Sequence, residues 1–321
     1  MSEANVSIWE KMQAIDRRWL YAILLVLTSA GLFIPVEVPV EPDGSTLDLY
    51  ASLAEVDPEK TVLVQSDWTN STRGENAGHF EALIRFLMAR NQKFVVYSYG
   101  DPQAPQVARD ALTRINQERE AAGRYVYKEF DDYVTLGYFP NAEAQTVSMD
   151  NNIRAAWGHK KVKDSTGKDR PCFESPVLQD INSVDDAGYL MIVTASSTID
   201  IAVERLSDNT VPMGAMVTGD VGPQVLPYHQ AEQVTGVGVG LKGVYEFEFM
   251  MNYGVNYAEG DEKPKVAHPN REVMIPPVED SVTFGRGKSY YATLHIALTL
   301  LIIAVVVGNL GLALSKKGKG N

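Results

Sequence analysis

Among 321 residues there is one cysteine, Cys172, which excludes a disulfide-stapled scaffold. Basic residues are also in deficit, with 29 lysines and arginines against 41 acidic residues and a formal net charge of −12. A partner rich in phosphate is therefore not expected, because nucleic acid is held by basic surfaces. No repeat or low-complexity run marks a fibrous or disordered chain. The five histidines, His79, His159, His229, His268 and His295, stand far apart without paired ligand spacing, so no metal site is expected. There is no Gly-x-Ser-x-Gly elbow and no His-Glu-x-x-His helix. No catalytic residue and no cofactor is assigned.

Two long apolar runs stand out instead. From Ser289 to Ser315 no residue is charged, and the centre is Leu298-Thr299-Leu300-Leu301-Ile302-Ile303-Ala304-Val305-Val306-Val307. A helix needs about 20 apolar residues to cross a hydrocarbon core. Tyr290 and Tyr291 sit at one end and Lys316, Lys317 and Lys319 at the other, which suits a membrane interface. A second run, residues 19–36, is shorter and ends at Pro35-Val36. Its rival reading is a cleaved signal peptide, against which stands a long leading segment carrying Glu3, Glu10 and Asp16.

Lys11, Arg17 and Arg18 precede the first run, and three lysines follow the second. Basic residues stay on the cytoplasmic side, so both termini are expected there, with the main domain periplasmic or extracellular. Residues 41–289 then keep 23 basic and 37 acidic residues, a net charge of −14. Ala297, Ala304, Gly308 and Gly311 line one face of the second run, where small side chains let helices approach closely in lipid. The expected partners are the bilayer and either other membrane subunits or a second copy.

The expected division is 1–18 cytoplasmic, 19–36 membrane helix, 37–60 stalk and short helix, and 61–254 the exported domain. A tether of 255–288, a membrane helix of 289–315 and a cytoplasmic tail of 316–321 complete the chain. Ser45 and Asp48 suggest a capping box for the short helix. Within the domain, β-branched runs such as Thr61-Val62-Leu63-Val64 and Phe94-Val95-Val96-Tyr97 alternate with helical patterns. Strands are also expected at residues 125–130, 133–138, 190–193, 213–217 and 237–241, with residues 159–175 as a charged loop. The pattern predicts an α/β fold with a mainly parallel, doubly wound, Rossmann-like sheet.

Functional residues in such sheets gather where strands end. Asp67, Thr69, Asp101, Ser196 and Asp220 occupy those places and are the candidate ligand-binding residues, although the same residue types also cap helices. Gly238-Val239-Gly240-Leu241-Lys242-Gly243 satisfies a dinucleotide glycine pattern but follows the last strand, so close packing explains it better. The leading expectation is a structural or accessory subunit of a membrane assembly. The alternative is a tethered small-ligand-binding or sensing domain of the solute-binding type. An enzyme, third, would need His79 and His229 to meet Asp67 and Asp101.

Overall fold

A computed structural model describes residues 16–33, 38–257, 266–278 and 286–318. In chain order the helices and strands are α1 (Arg17–Phe33), α2 (Gly44–Ala54), β1 (Val62–Asp67), α3 (Arg73–Ala89), β2 (Phe94–Ser98) and α4 (Ala104–Ala121). Then come β3 (Tyr133–Tyr138), α5 (Ala142–Trp157), β4 (Lys161–Lys163), β5 (Asp169–Pro171), β6 (Tyr189–Thr194) and α6 (Thr198–Leu206). The last are β7 (Met213–Val217), α7 (Gly222–Gln230), β8 (Gly236–Val239), α8 (Gly240–Tyr253) and α9 (Arg286–Gly318). The chain divides into two units, residues 40–287 and the two terminal pieces, 1–39 with 288–321.

In the first unit, six strands form one parallel sheet in the order β3-β2-β1-β6-β7-β8. The fold is α/β and Rossmann-like. Strands β1, β2, β6 and β7 are buried along their whole length, which is why they read as continuous apolar runs rather than alternating ones. Alternate residues feed two cores. Val62 and Val64 join one with side chains of α2, α3, α4 and α8, while Leu63 joins the other with side chains of α5 and α6. The first core is centred on Tyr50, Phe86 and Phe247, whose ring centroids lie 5.0–5.6 Å apart in edge-to-face contacts. Helix α2 lies so close to β8 that a Cβ on Gly236 would be 2.2 Å from the Leu49 nitrogen.

Several expectations are corrected. Residues 125–130 form no strand, because the Asn116 side chain takes up both the N–H and the C=O of Tyr127. The expected loop at 159–175 holds the hairpin β4–β5. Its turn is built by Asp164, whose Oδ1 accepts from the Thr166 and Lys168 amides, with Gly167 at φ +80°. The segment 266–278 of the tether is a strap bonded to the domain, with Val255 and Ile275 exchanging both amide bonds at 2.9 Å. The Ser45–Asp48 capping box is absent; Asp43 takes the N-cap position without a side-chain bond.

The terminal unit holds α1 and α9. From Gly287 to Leu314, α9 is long and apolar enough to cross a membrane, with an 18-residue window of mean hydropathy 2.5. Helix α1 is a shorter apolar helix ending at Phe33, and residues 34–36 of the expected span lie outside the described residues. The two helices run antiparallel. A Cβ on Gly31 would be 2.8 Å from Ile296 Cδ1, and Leu27 shares a groove with Thr299 and Ile303. The hydroxyls of Thr28 and Thr293 donate back to the carbonyls of Leu24 and Ser289, both four residues earlier, at 2.7 and 2.8 Å. Within the small-residue face, Gly311 is buried and Ala297 and Ala304 half-buried, whereas Gly308 faces open space.

Candidate functional site

The strand order reverses between β1 and β6, and in open α/β sheets the crevice beyond the carboxyl ends at that point is where ligands sit. All five candidate residues lie along this edge, but they are not equally available. The Asp67 carboxylate is buried and saturated. Its Oδ1 accepts from Ser98 Oγ and from the amides of Tyr99 and Gly100, each at 2.8 Å, and its Oδ2 accepts from Gln65 Nε2 at 2.6 Å. Such charge-assisted bonds join the end of β1 to the turn after β2. Asp67 is therefore a buckle.

Asp101, one residue past that turn, accepts from the Gln103 amide at 2.7 Å and shapes the approach to α4. Thr69 opens a short 3₁₀ turn, forming a capping box with Thr72, and its hydroxyl meets Ser71 Oγ at 2.8 Å. Beyond β6, Thr194 Oγ1 donates towards the Asp67 carbonyl at 3.4 Å and shares bonds with Ser196 Oγ and Thr198 Oγ1, both at 3.2 Å. Asp67, Thr194 and Ser196 are thus one connected set at the switch point. Ser196 is exposed there, as is Arg73 at the start of α3. Asp220 stands apart, beyond β7; the Thr218 hydroxyl and the nearby amides hold its carboxyl below the usual carboxylate range.

The histidines do not converge on Asp67. His79 of α3 is fully buried beside the backbone of Val217 and Gly240, with neither ring nitrogen in a well-formed hydrogen bond. Burial lowers its pKa to about 3, and the two backbone neighbours offset this only in part, so the ring is neutral. His229 of α7 pairs with Asp48. Neither histidine makes a hydrogen bond to Asp67 or Asp101.

The glycine motif is also explained by packing. A Cβ on Gly243 would be 2.7 Å from the Gly238 carbonyl carbon and 3.3 Å from His79 Cε1, and Gly240 takes φ +58° as α8 begins. A carboxylate from α3 stands beside Gly240. Glu75 Oε2 accepts from the Gly219 amide at 2.8 Å and lies 3.4 Å from where a Gly240 side chain would start. This contact is not legible in the sequence, since Glu75 and Gly219 are far apart in the chain. Cys172 is buried with its thiol donating to the Trp157 carbonyl at 3.3 Å, and burial pushes its pKa up to about 11. Among the described residues, no three His, Cys, Asp or Glu side chains are placed to hold a metal ion.

Comparison with protein-family models, curated proteins and solved structures returned no match.

Proposed function

We propose that the chain is a membrane-anchored α/β domain that serves as a structural or accessory subunit of a membrane assembly. The observation that carries this reading is the surface of α9. Only 6 % of its apolar window is buried, and Leu301, Ile302, Val305 and Leu310 are all more than half exposed. The core helix of a soluble protein would bury that surface; in lipid it needs no cover. The antiparallel contact of α1 with α9 through Gly31 supports a two-pass hairpin, and the basic residues at both outer ends support cytoplasmic termini with the domain exported. Gly308 of the small-residue face, beside which there is open space, is the point offered to another helix.

The test is purification of the full chain in mild detergent, with cross-linking and mass measurement. Recovery with stoichiometric partner subunits is expected, and a strictly monomeric, partner-free protein would sink the reading. Orientation is checked separately by protease on sealed vesicles, where digestion of residues 41–289 from the cytoplasmic side would reverse the topology.

A second reading, a tethered small-ligand domain, draws support from the exposed hydroxyls and Arg73 at the β1–β6 switch point. Its test is a thermal-shift screen of small polar and anionic compounds, comparing wild type with Ser196→Ala and Arg73→Ala. Asp67→Ala is the wrong probe, since it removes the buckle itself.

A further inference from the structure

Both ends of the domain unit, residues 40–287, are fastened to one helix, α8. Glu246 Oε1 accepts from the Asp43 amide at 3.0 Å, close to where the chain arrives from α1. Glu248 Oε2 accepts from the Gly287 amide at 2.9 Å, where the chain passes into α9. Beside Glu248 on the same helix, Phe249 forms one wall of a groove of about 400 Å³. Val40, Pro42 and Leu47 of the arriving chain form a second wall, and Val266 of the strap a third. We propose that this groove holds one acyl chain of an ethanolamine phospholipid, with the lipid's ammonium group at Glu41.

The lipid comes from the bilayer, so this site rests on the membrane-anchored reading. Among the described residues Glu41 is the only charged side chain on the groove wall; it is exposed and makes no ion pair. Apolar walls with a single carboxylate at the rim select an amphiphile with an apolar chain and a cationic head. An anionic headgroup is opposed by Glu41 and by the net charge of −14 over residues 41–289. Location points to a lipid rather than a soluble amine, because the chain leaves for both anchors beside this groove, at Val40 and at Gly287. An acyl chain gains nothing by passing from one apolar phase to another. The gain is the groove's own apolar wall, which is taken out of water, and the ammonium–carboxylate pair.

The walls are fixed without a ligand. The Phe249 ring lies 4.6 Å from that of Tyr253, centroid to centroid, one turn along α8. The Asn256 amide donates to the Val266 carbonyl at 2.6 Å and so ties the strap to the chain just after α8. On the opposite side Lys242 bridges Asp43 and Glu246 at 2.5 and 2.7 Å, which leaves Glu41 as the carboxylate of the arriving chain that is open to a cation. A groove held in this way costs little ordering when it is filled.

The test is photolabelling of the full chain in phosphatidylcholine vesicles that contain a phosphatidylethanolamine probe with a diazirine in one acyl chain. Mass spectrometry should find label on the peptides holding Phe249 and Val266 as well as on α1 and α9. A phosphatidylglycerol probe should label α9 equally and the groove several-fold less. An exposed ion pair is worth up to about fivefold in occupancy, so Glu41→Gln should lower groove labelling by roughly two- to fivefold and Glu41→Lys by more. Ala267→Phe, which places a ring in the groove from its exposed rim, should lower it with Glu41 intact. Label on α9 should be unchanged in all three variants, and emission from the buried Trp68 and Trp157 identifies any that has misfolded. An unlabelled groove beside a labelled α9, equal groove labelling by the two probes, or indifference to Glu41→Lys and Ala267→Phe would overturn the lipid site and leave the anchor standing. Groove labelling by a water-soluble photoreactive alkylamine but by neither lipid would overturn the bilayer as the source. An unlabelled α9 would overturn the anchor itself, and the site with it.

Discussion

Acid should destabilise the domain through His79, by an amount that its burial sets. The unfolded chain takes up a proton on this ring near pH 6.5, while the folded ring, with a pKa lowered to about 3, refuses it. Between those values the unfolded state binds more protons, so stability falls as pH falls and is unaffected above about pH 7. At pH 5 the folded ring is neutral and the unfolded one almost fully charged, which costs about 2 kcal/mol; below pH 3 the cost levels off near 5 kcal/mol. Carboxylates titrate in the same range, so the measurement is a difference between two proteins. His79→Leu keeps an apolar body of similar size and removes two polar atoms that lack well-formed bonds, so at pH 7.5 it should be no less stable than wild type. Urea denaturation in detergent, followed by the buried Trp68 and Trp157, gives both stabilities. The variant should gain about 2 kcal/mol on wild type between pH 7.5 and pH 5. Parallel pH curves would refute the reasoning, because they would mean that His79 takes up its proton as readily folded as unfolded.

Four further outcomes are expected. Asp67→Ala should lower the urea midpoint by the equivalent of about 3 kcal/mol or more, since four donors to a buried carboxylate lose their acceptor; a change below 1 kcal/mol would show that the buckle is dispensable. Gly236→Ala should destabilise by at least about 2 kcal/mol in the same assay, because the new methyl meets backbone of α2 rather than a movable side chain. Cys172 should react with a water-soluble disulfide reagent at pH 8 roughly a hundredfold more slowly than an unfolded control, and normal speed in the native state would contradict its burial. Gly31→Leu should weaken the α1–α9 contact, read as lost cross-linking between cysteines placed at positions 27 and 300.

Much of the sheet was legible because its inner strands are buried on both faces, and a parallel strand of that kind announces itself as a β-branched run. Val62-Leu63-Val64 and Phe94-Val95-Val96 needed no tertiary information. Tyr125–Phe130 misled for the opposite reason: its composition suits a strand, but Asn116, nine residues before Tyr125, supplies the bonds that a neighbouring strand would have made. The hairpin β4–β5 was hidden by its charge, since a three-residue strand is fixed by the Asp164 turn and not by apolar alternation. The candidate residues lie at the carboxyl ends of strands, a position that follows from the strand positions alone. Their availability was not legible. Whether Asp67 is a ligand or a buckle depends on Ser98, Tyr99 and Gly100, and whether Asp48 caps a helix or binds histidines depends on a residue 220 positions away.

The contact of Tyr50 with Phe247 bears on how the chain is made. Helix α2 leaves the ribosome early, but two of its partners are β8 and α8, the last elements of the domain. Phe86 of α3 can meet Tyr50 early, but Phe247 and the close-packed backbone of Gly236 emerge nearly 200 residues later, so α2 is only partly covered until then. Folding of this unit is therefore completed only after its final helix emerges, and the growing chain carries a partly covered apolar segment throughout that interval. A ribosome-bound chain truncated before Gly236 should consequently be protease-sensitive in α2 and depend on a chaperone to stay soluble.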